Sequence, residues 1–410
     1  MDAGQRIVPT RLVAPDEALG LYVHIPFCET KCPYCDFNTY AQLEALIPNY
    51  VAALQRELDL WGSLLETPQT STIFFGGGTP SYLPVDDLSR VISSITEAFN
   101  VDSAAEISLE ANPGDIDAER AAALREIGFN RVSVGIQSFD DGLLQMLGRK
   151  HDAKTAIAAI RNFRSGGFDS INLDLMFGLP NQTLKQWEAS LDKTLELDTD
   201  HISLYGLTIE PNTPLEVIVE RGDLPEPDGD LAADMYLMAC ERLESAGYLH
   251  YEISNWCKPG KLARHNLIYW RSGEYLGAGP GAHSYVGGQR FENIKSPKQY
   301  VQALQSDDER TASTDAVARM QAMGVVGDGG SDSDRQQSAD FLMMGLRLSE
   351  GISAGEINGR FGVDFAAKYR DEIAQLTSTG LLESSGDRFW IPHDKWLVGN
   401  EVFSQFVELE

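Results

Sequence analysis

The sequence predicts an α/β fold built as a partial (βα)6 barrel with a small, mainly helical C-terminal domain. Three observations point there. Short apolar, β-branched runs alternate with helical patterns from residue 20 to about 210. The runs are close to continuously apolar, as parallel strands covered by helices are. Polar residues able to carry chemistry recur at the C-terminal ends of successive runs, where a (βα) barrel places its site. An open doubly wound sheet shows the same alternation, so periodicity alone leaves both arrangements standing.

The six runs are LYVHI (21–25), STIFF (71–75), AEISLE (105–110), RVSVGIQ (131–137), SINLDLMF (170–177) and HISLYGL (201–207). Between the first two, PNYVAALQRELDLWGSLL sets Val51, Leu54, Leu58, Trp61 and Leu65 at helical spacing. DDLSRVISSITEAF does the same with Leu88, Val91, Ile92, Ile95 and Phe99. Gly76, Gly77, Gly78 and Thr79 follow the second run, Glu110 ends the third, Gln137 ends the fourth, and Asp174 lies late in the fifth.

Beyond residue 210 the pattern loosens. GDLAADMYLMACERLESAGY reads as a helix and precedes a stretch rich in aromatics and glycines. GDGGSDSDRQQSAD (327–340) reads as a linker or mobile loop. After it come a helical segment and a hairpin around LLESSGDRFWIP. The expected divisions are an N-terminal segment 1–19, the partial barrel 20–235, a barrel extension 236–326, the linker 327–340 and a C-terminal domain 341–410.

At 43% hydrophobic residues, the 410-residue chain can build a full core. Its formal net charge of −28 opposes unspecific binding to nucleic acid or anionic lipid. No apolar run approaches the roughly 18 residues of a membrane span. The N-terminus has no apolar signal-peptide core. A cytoplasmic location without direct membrane insertion is the expectation.

Five cysteines are present, three of them as Cys28, Cys32 and Cys35 in the spacing C-x3-C-x2-C. Clustered cysteines in a cytosolic chain point to a metal site rather than a disulfide framework. Structural zinc takes four ligands, usually as two separated pairs, and here no second pair follows. Three thiolates could instead hold a [4Fe–4S] cluster and leave one iron open to a small molecule. Cys257 remains an alternative fourth ligand, and Phe37 stands where a fourth cysteine could have continued the run.

The cluster, with Tyr34 before its last cysteine and in the context YVHIPFCETKCPYCDFN, resembles the signature of the radical S-adenosylmethionine superfamily, and within it the oxygen-independent coproporphyrinogen oxidase-like group. GGGTPSYLP, EANPGD, GIQSFD, LGRKHD and NLDLMFGLP resemble further motifs of that group in order. The resemblance selects the partial barrel. It implies a [4Fe–4S] cluster on Cys28, Cys32 and Cys35 with S-adenosylmethionine on the open iron. It implies S-adenosylmethionine contacts from Tyr22, Tyr34, Gly77, Gly78, Thr79, Glu110, Gln137, Arg149 and Asp174. It also implies an electron donor for the cluster. No catalytic residue is assigned.

Oxidases of the group carry a fourth cysteine where this chain has Phe37, so the chain resembles the HemW branch of haem chaperones instead. HNLIYW (265–270) fits that branch, as do YLGAGPGAHSY (275–285), FLMMGLRLSEGI (341–352) and NEVFSQFVEL (400–409). The resemblance implies haem binding around His265, Asn266, Tyr269 and Trp270, and transfer to acceptor haemoproteins of the respiratory chain. A histidine can ligate iron and aromatics can pack on a porphyrin. The same hexapeptide also reads as core aromatics around a satisfied histidine, and His24, His201 and His283 are other candidate ligands. A homodimer is compatible with this reading. The alternative functions are oxygen-independent coproporphyrinogen III oxidation and radical methyl transfer.

Overall fold

The six runs form six strands in a computed structural model, which describes residues 18–305, 315–331 and 333–406. They alternate with helices as β1 (Leu19–Ile25), α1 (Ile47–Leu64), β2 (Gln69–Gly77), α2 (Val85–Ala98), β3 (Asn100–Ala111), α3 (Ala118–Glu126), β4 (Arg131–Gln137), α4 (Asp141–Met146), α5 (Ala153–Ser165), β5 (Ser170–Phe177), α6 (Leu184–Leu197) and β6 (His201–Gly206). The strands pair in parallel in chain order without reversal. A doubly wound sheet would reverse at a switch point, so this order is that of a partial barrel.

Two faces separate along these strands. Leu21, Val23, Ile73, Phe75, Leu109, Val132, Val134, Leu173, Leu175 and Ile202 are fully buried against Leu54, Trp61, Val91 and Ile160 of the helices. The alternate residues form the other face. Tyr22 pairs with Phe74, Glu110 with Ser133, Asn172 with His201 and Asp174 with Ser203. The barrel interior is therefore polar.

The sheet continues on both sides. After α7 (Pro214–Glu220) and α8 (Gly229–Ser245), β7 (Leu249–Glu252) and β8 (Asn255–Cys257) add antiparallel strands beside β6. After α9 (Arg264–Trp270), β9 (Tyr275–Ala278) runs parallel to β1. Then β10 (His283–Val286), β11 (Gln289–Asn293) and β12 (Val326–Ser331) follow antiparallel. Two expectations need correction. The boundary set at 235/236 falls inside α8. The segment 327–340 is not a linker: it supplies most of β12 and the start of α10 (Asp334–Gly345), because its backbone pairs with β11 and Ser333 caps the helix.

The C-terminal part packs Leu342, Leu346, Ile357, Phe365, Leu376, Ile391, Trp396 and Phe406 into a core of its own. The expected hairpin is present at Glu383–Ser385 and Arg388–Trp390. Arg271 pairs with the buried Glu350 at 2.8 Å, and His250 lies edge-on to Trp396, joining this core to the barrel. The N-terminal segment up to residue 17 and the last four positions lie outside the described residues.

One buried carboxylate ties the extension to the barrel. Glu57 of α1 is fully buried and accepts from Gly279 N at 2.8 Å, Asn293 Nδ2 at 2.7 Å, Tyr300 OH at 2.5 Å and Trp61 Nε1 at 3.3 Å. Burial pushes its pKa up while these donors pull it down. Removing such a group orphans several donors at once. Glu57→Ala is expected to cost about 2–4 kcal/mol in a denaturant melt, because it leaves several buried donors unpaired. Glu57→Gln, which keeps an acceptor oxygen, is expected to cost distinctly less.

Candidate functional site

Glycines at the C-terminal end of β2 let its backbone lie against β1. A Cβ on Gly78 would sit 2.6 Å from Phe27 O, and one on Gly77, at φ +109°, would run into the His24 ring. Gly78 N donates to Ile25 O at 2.7 Å and Thr79 N to Phe27 O at 2.8 Å. This close approach positions the cysteine loop that leaves β1. The loop is also held by Leu215 N donating to Pro33 O at 2.9 Å and by Gly148 against Pro33.

Each of the three free, half-buried thiols has a polar neighbour. Thr79 Oγ1 donates to Cys28 Sγ at 3.4 Å, Arg149 Nη1 lies 3.5 Å from Cys32 Sγ, and Thr39 Oγ1 lies 3.9 Å from Cys35 Sγ. Burial pushes the Cys28 and Cys35 thiols up. Donors to sulfur together with a guanidinium suit thiolates better than thiols. Asn112 links two of these contacts: it accepts from Arg149 Nη2 at 2.6 Å and donates to Thr79 Oγ1 at 3.1 Å. Among the described residues, Glu244, His250 and His393 are grouped closely enough to hold one metal ion, and the three thiols are not. Three thiols with hydrogen-bond donors on their sulfurs are a donor set suited to iron–sulfur ligation.

Beside this loop opens a cavity of about 650 Å³. Of the residues expected at S-adenosylmethionine, Tyr22, Gly77 and Glu110 line it. Thr79 and Arg149 touch the sulfurs instead, and Tyr34 packs beside Leu143 and Met176. Gln137 sits at a bulge at the end of β4 with φ +67°, a left-handed conformation uncommon for a side chain of its size. Asp174 lies on the inner face and accepts from Ser133 Oγ at 2.8 Å and Asn172 Nδ2 at 2.7 Å.

Glu110 accepts from Gly77 N at 3.1 Å. Burial, with Asp174 nearby, raises its pKa to about 7, and burial raises Asp174 too. His24 Nε2 must carry its proton, since its partner is the carbonyl of Asn38 at 3.0 Å. Its Nδ1 then accepts from Tyr22 OH at 3.0 Å, and burial keeps the ring neutral by lowering its pKa. His24 thus has a local structural role beside the loop.

Most of the expected haem residues, carried on α9, fall outside the cavity. Glu106, midway along β3, accepts from the backbone N–H groups of Arg264 and His265, each at 3.1 Å, and so caps α9. His265 is 1% exposed. Its Nδ1 lies 2.8 Å from Thr72 Oγ1, its Nε2 lies 2.7 Å from Tyr269 OH, and Phe74 stacks on the ring. Burial lowers its pKa to about 3. Both ring nitrogens are engaged in this conformation. Tyr269 reaches the cavity, Asn266 is half-buried, and Trp270 lies under the Arg347 guanidinium at 4.8 Å.

His201 is likewise buried, between Asn172 Oδ1 and Tyr251 OH at 2.7 Å each. Cys257 pairs with His201 at the start of β6, the end of the barrel away from the cysteine loop, which rules it out as a fourth ligand there. His24 and His283 both line the cavity, and His283 differs in exposure: its side chain is 67% exposed, whereas His24 is buried. Asn112 and Thr39 were missed by sequence reasoning, although Asn112 lies within the quoted EANPGD.

The Radical SAM superfamily matches residues 22–194, and the HemN C-terminal domain matches residues 333–394. A protein named heme chaperone HemW from Bacillus subtilis is 35% identical over 94% of this chain and 98% of its own length. One of the same name from Haemophilus influenzae is 41% identical over 96% of this chain and 98% of its own. The structure of coproporphyrinogen III oxidase (HemN) from Escherichia coli, described as a radical SAM enzyme, superposes with a TM-score of 0.81 at 24% identity, covering 96% of this chain and 91% of that one. That likeness carries the fold.

Two outcomes follow from the site. With a native pKa near 7 against 4.5 for the free side chain, Glu110 adds stability below pH 4.5 that is lost as pH rises through 7. Glu110→Gln is expected to be more stable than wild type at pH 8, by roughly 1–3 kcal/mol, with the gap shrinking by pH 5 in denaturant melts of ligand-free protein. His265→Ala is expected to lose about 2–4 kcal/mol at pH 7 through a cavity and two orphaned hydroxyls, whereas His283→Ala changes little.

Proposed function

Because the chain belongs to the family of the heme chaperone HemW within the radical SAM superfamily, we propose that it is a haem chaperone carrying a [4Fe–4S] cluster and binding S-adenosylmethionine. Cys28, Cys32 and Cys35 would hold three irons, with S-adenosylmethionine on the fourth. The chemistry this pair supplies when bound is one-electron chemistry, fed by an electron donor. Thr79, Arg149 and Thr39 would stabilise the thiolates by donating to sulfur. The backbone at Gly77 and Gly78 would meet the methionine end, with Thr79 close by. Tyr22, Tyr34, Glu110, Gln137, Arg149 and Asp174 would surround the rest. Glu110 and Asp174 are suited to a cationic, hydroxyl-bearing ligand, because a sulfonium charge offsets the burial of their own.

The observation that carries the chaperone reading is Phe37, 65% exposed at the mouth of the cavity where oxidases of the group place a cysteine. An exposed aromatic at the opening suits a flat apolar cargo such as haem. The cargo would pass to acceptor haemoproteins such as respiratory enzymes, in the cytoplasm and without direct membrane insertion; no described helix is long and apolar enough to cross a membrane. A homodimer is compatible with this role.

Anaerobic reconstitution tests the first part. Wild type is expected to show iron–sulfur absorbance and the electron-spin signal of a reduced cluster, and Cys32→Ala to lose both. Haem titration followed by mixing with an apo-haemoprotein tests the second. Saturable one-to-one uptake and delivery are expected, with no product from coproporphyrinogen. Product formation without haem uptake would overturn the chaperone reading in favour of the oxidase.

A further inference from the structure

The cavity has a floor and a rim of different chemistry. Its floor is Tyr22, Gly77, Glu110 and Tyr269, polar groups of the barrel interior. Its rim brings together Phe37, His283, Lys31 and Lys295 from the cysteine loop, β10 and the segment after β11. These segments are tied together: Asn38 Nδ2 donates to Pro280 O at 2.9 Å and Lys295 O at 3.0 Å, and Lys31 Nζ donates to Phe37 O at 3.0 Å. The rim is thus a built surface.

Haem presents a flat apolar macrocycle, an iron with open axial positions and two carboxylates. The rim offers a counterpart to each. Phe37 is exposed without serving the core. Lys31 and Lys295 stand at the opening of a chain whose formal charge is −28, with the Lys295 side chain 66% exposed. Asp36 and Glu292 face the same region. Glu292 Oε2 lies 3.3 Å from His283 Nε2 and 3.7 Å from Lys295 Nζ. Metal-ligating histidines commonly give their second N–H to a carboxylate, which fixes the tautomer and raises ligand basicity. Glu292 is placed to do this for His283.

We propose that this rim is the haem seat, with His283 as the axial iron ligand, Phe37 packed on the macrocycle and Lys31 and Lys295 on the propionates. The unprotonated ring nitrogen gives its lone pair to iron and displaces a water, so no proton leaves the His283–Glu292 pair. The cargo lies over the floor proposed for S-adenosylmethionine and is reachable by an acceptor. His265, sealed behind the floor residue Tyr269, acts as a structural residue. The inference rests on the haem-carrier reading and places its site.

The test is a titration of haem into wild type, His283→Ala, Phe37→Ala, Lys31→Ala/Lys295→Ala and His265→Gln, followed by absorption. Binding of S-adenosylmethionine is checked in each. His283→Ala is expected to bind at least tenfold more weakly with a changed spectrum, and added imidazole restores the wild-type spectrum. The lysine pair and Phe37→Ala weaken binding severalfold with the spectrum unchanged. Folded His265→Gln keeps the wild-type spectrum. Wild-type binding matched by His283→Ala in affinity and spectrum overturns the seat and leaves the carrier reading standing. No saturable binding by wild type overturns the carrier reading itself, and the seat with it.

Discussion

The inner face of the six parallel strands is polar, and that constraint orders the rest of the molecule. A buried polar group without a partner is destabilising, so the groups inside must bond to one another or face a ligand. At the start of the strands they bond to one another. Thr72 and Tyr269 engage His265, Glu106 caps α9, and Asn172 and Tyr251 hold His201. At the C-terminal ends the arrangement stays open: Tyr22, Gly77 and Glu110 face a cavity. Arg131, fully inside, balances this interior, attracting Glu110 and Asp174 and disfavouring protonation of His201 and His265.

The strands were legible because their outward residues are apolar in an unbroken rhythm; the six runs coincide closely with β1 to β6. The polarity of the interior was written there too. LYVHI and AEISLE alternate, and Tyr22, His24, Ser108 and Glu110 occupy the inward beats. Reading the runs as continuously apolar passed over that second period. Glu57 carried a comparable signal, a charge on the same helical stripe as Leu54, Leu58 and Trp61. Its partners lie more than two hundred residues away at Gly279, Asn293 and Tyr300, beyond the reach of local patterns.

Composition misled at 327–340. Glycine, serine and aspartate lack strand propensity, yet β12 forms at the sheet edge because β11 offers a free ladder, and Gly329 lies where a Cβ would press on Phe291. The hexapeptide HNLIYW shows a different limit of local reading. Ligand chemistry was inferred from residue types, whereas availability depends on Thr72, Glu106 and Phe74, none of them near in sequence.

Availability is what separates the histidines. A ring that already accepts and donates, 1% exposed, as His265 is, must give up two hydrogen bonds and open the barrel floor before it can meet a metal. His283 needs no such change: its side chain is two-thirds exposed and one nitrogen is paired with Glu292. A carrier has to release its cargo as well as hold it. In the proposed carrier, a ligand on the exposed rim would be reachable as it stands, while one at His265 would first have to break its bonds to Thr72 and Tyr269. In such a carrier, the same polar interior that stabilises the closed part of the barrel would leave the cavity side to the cargo.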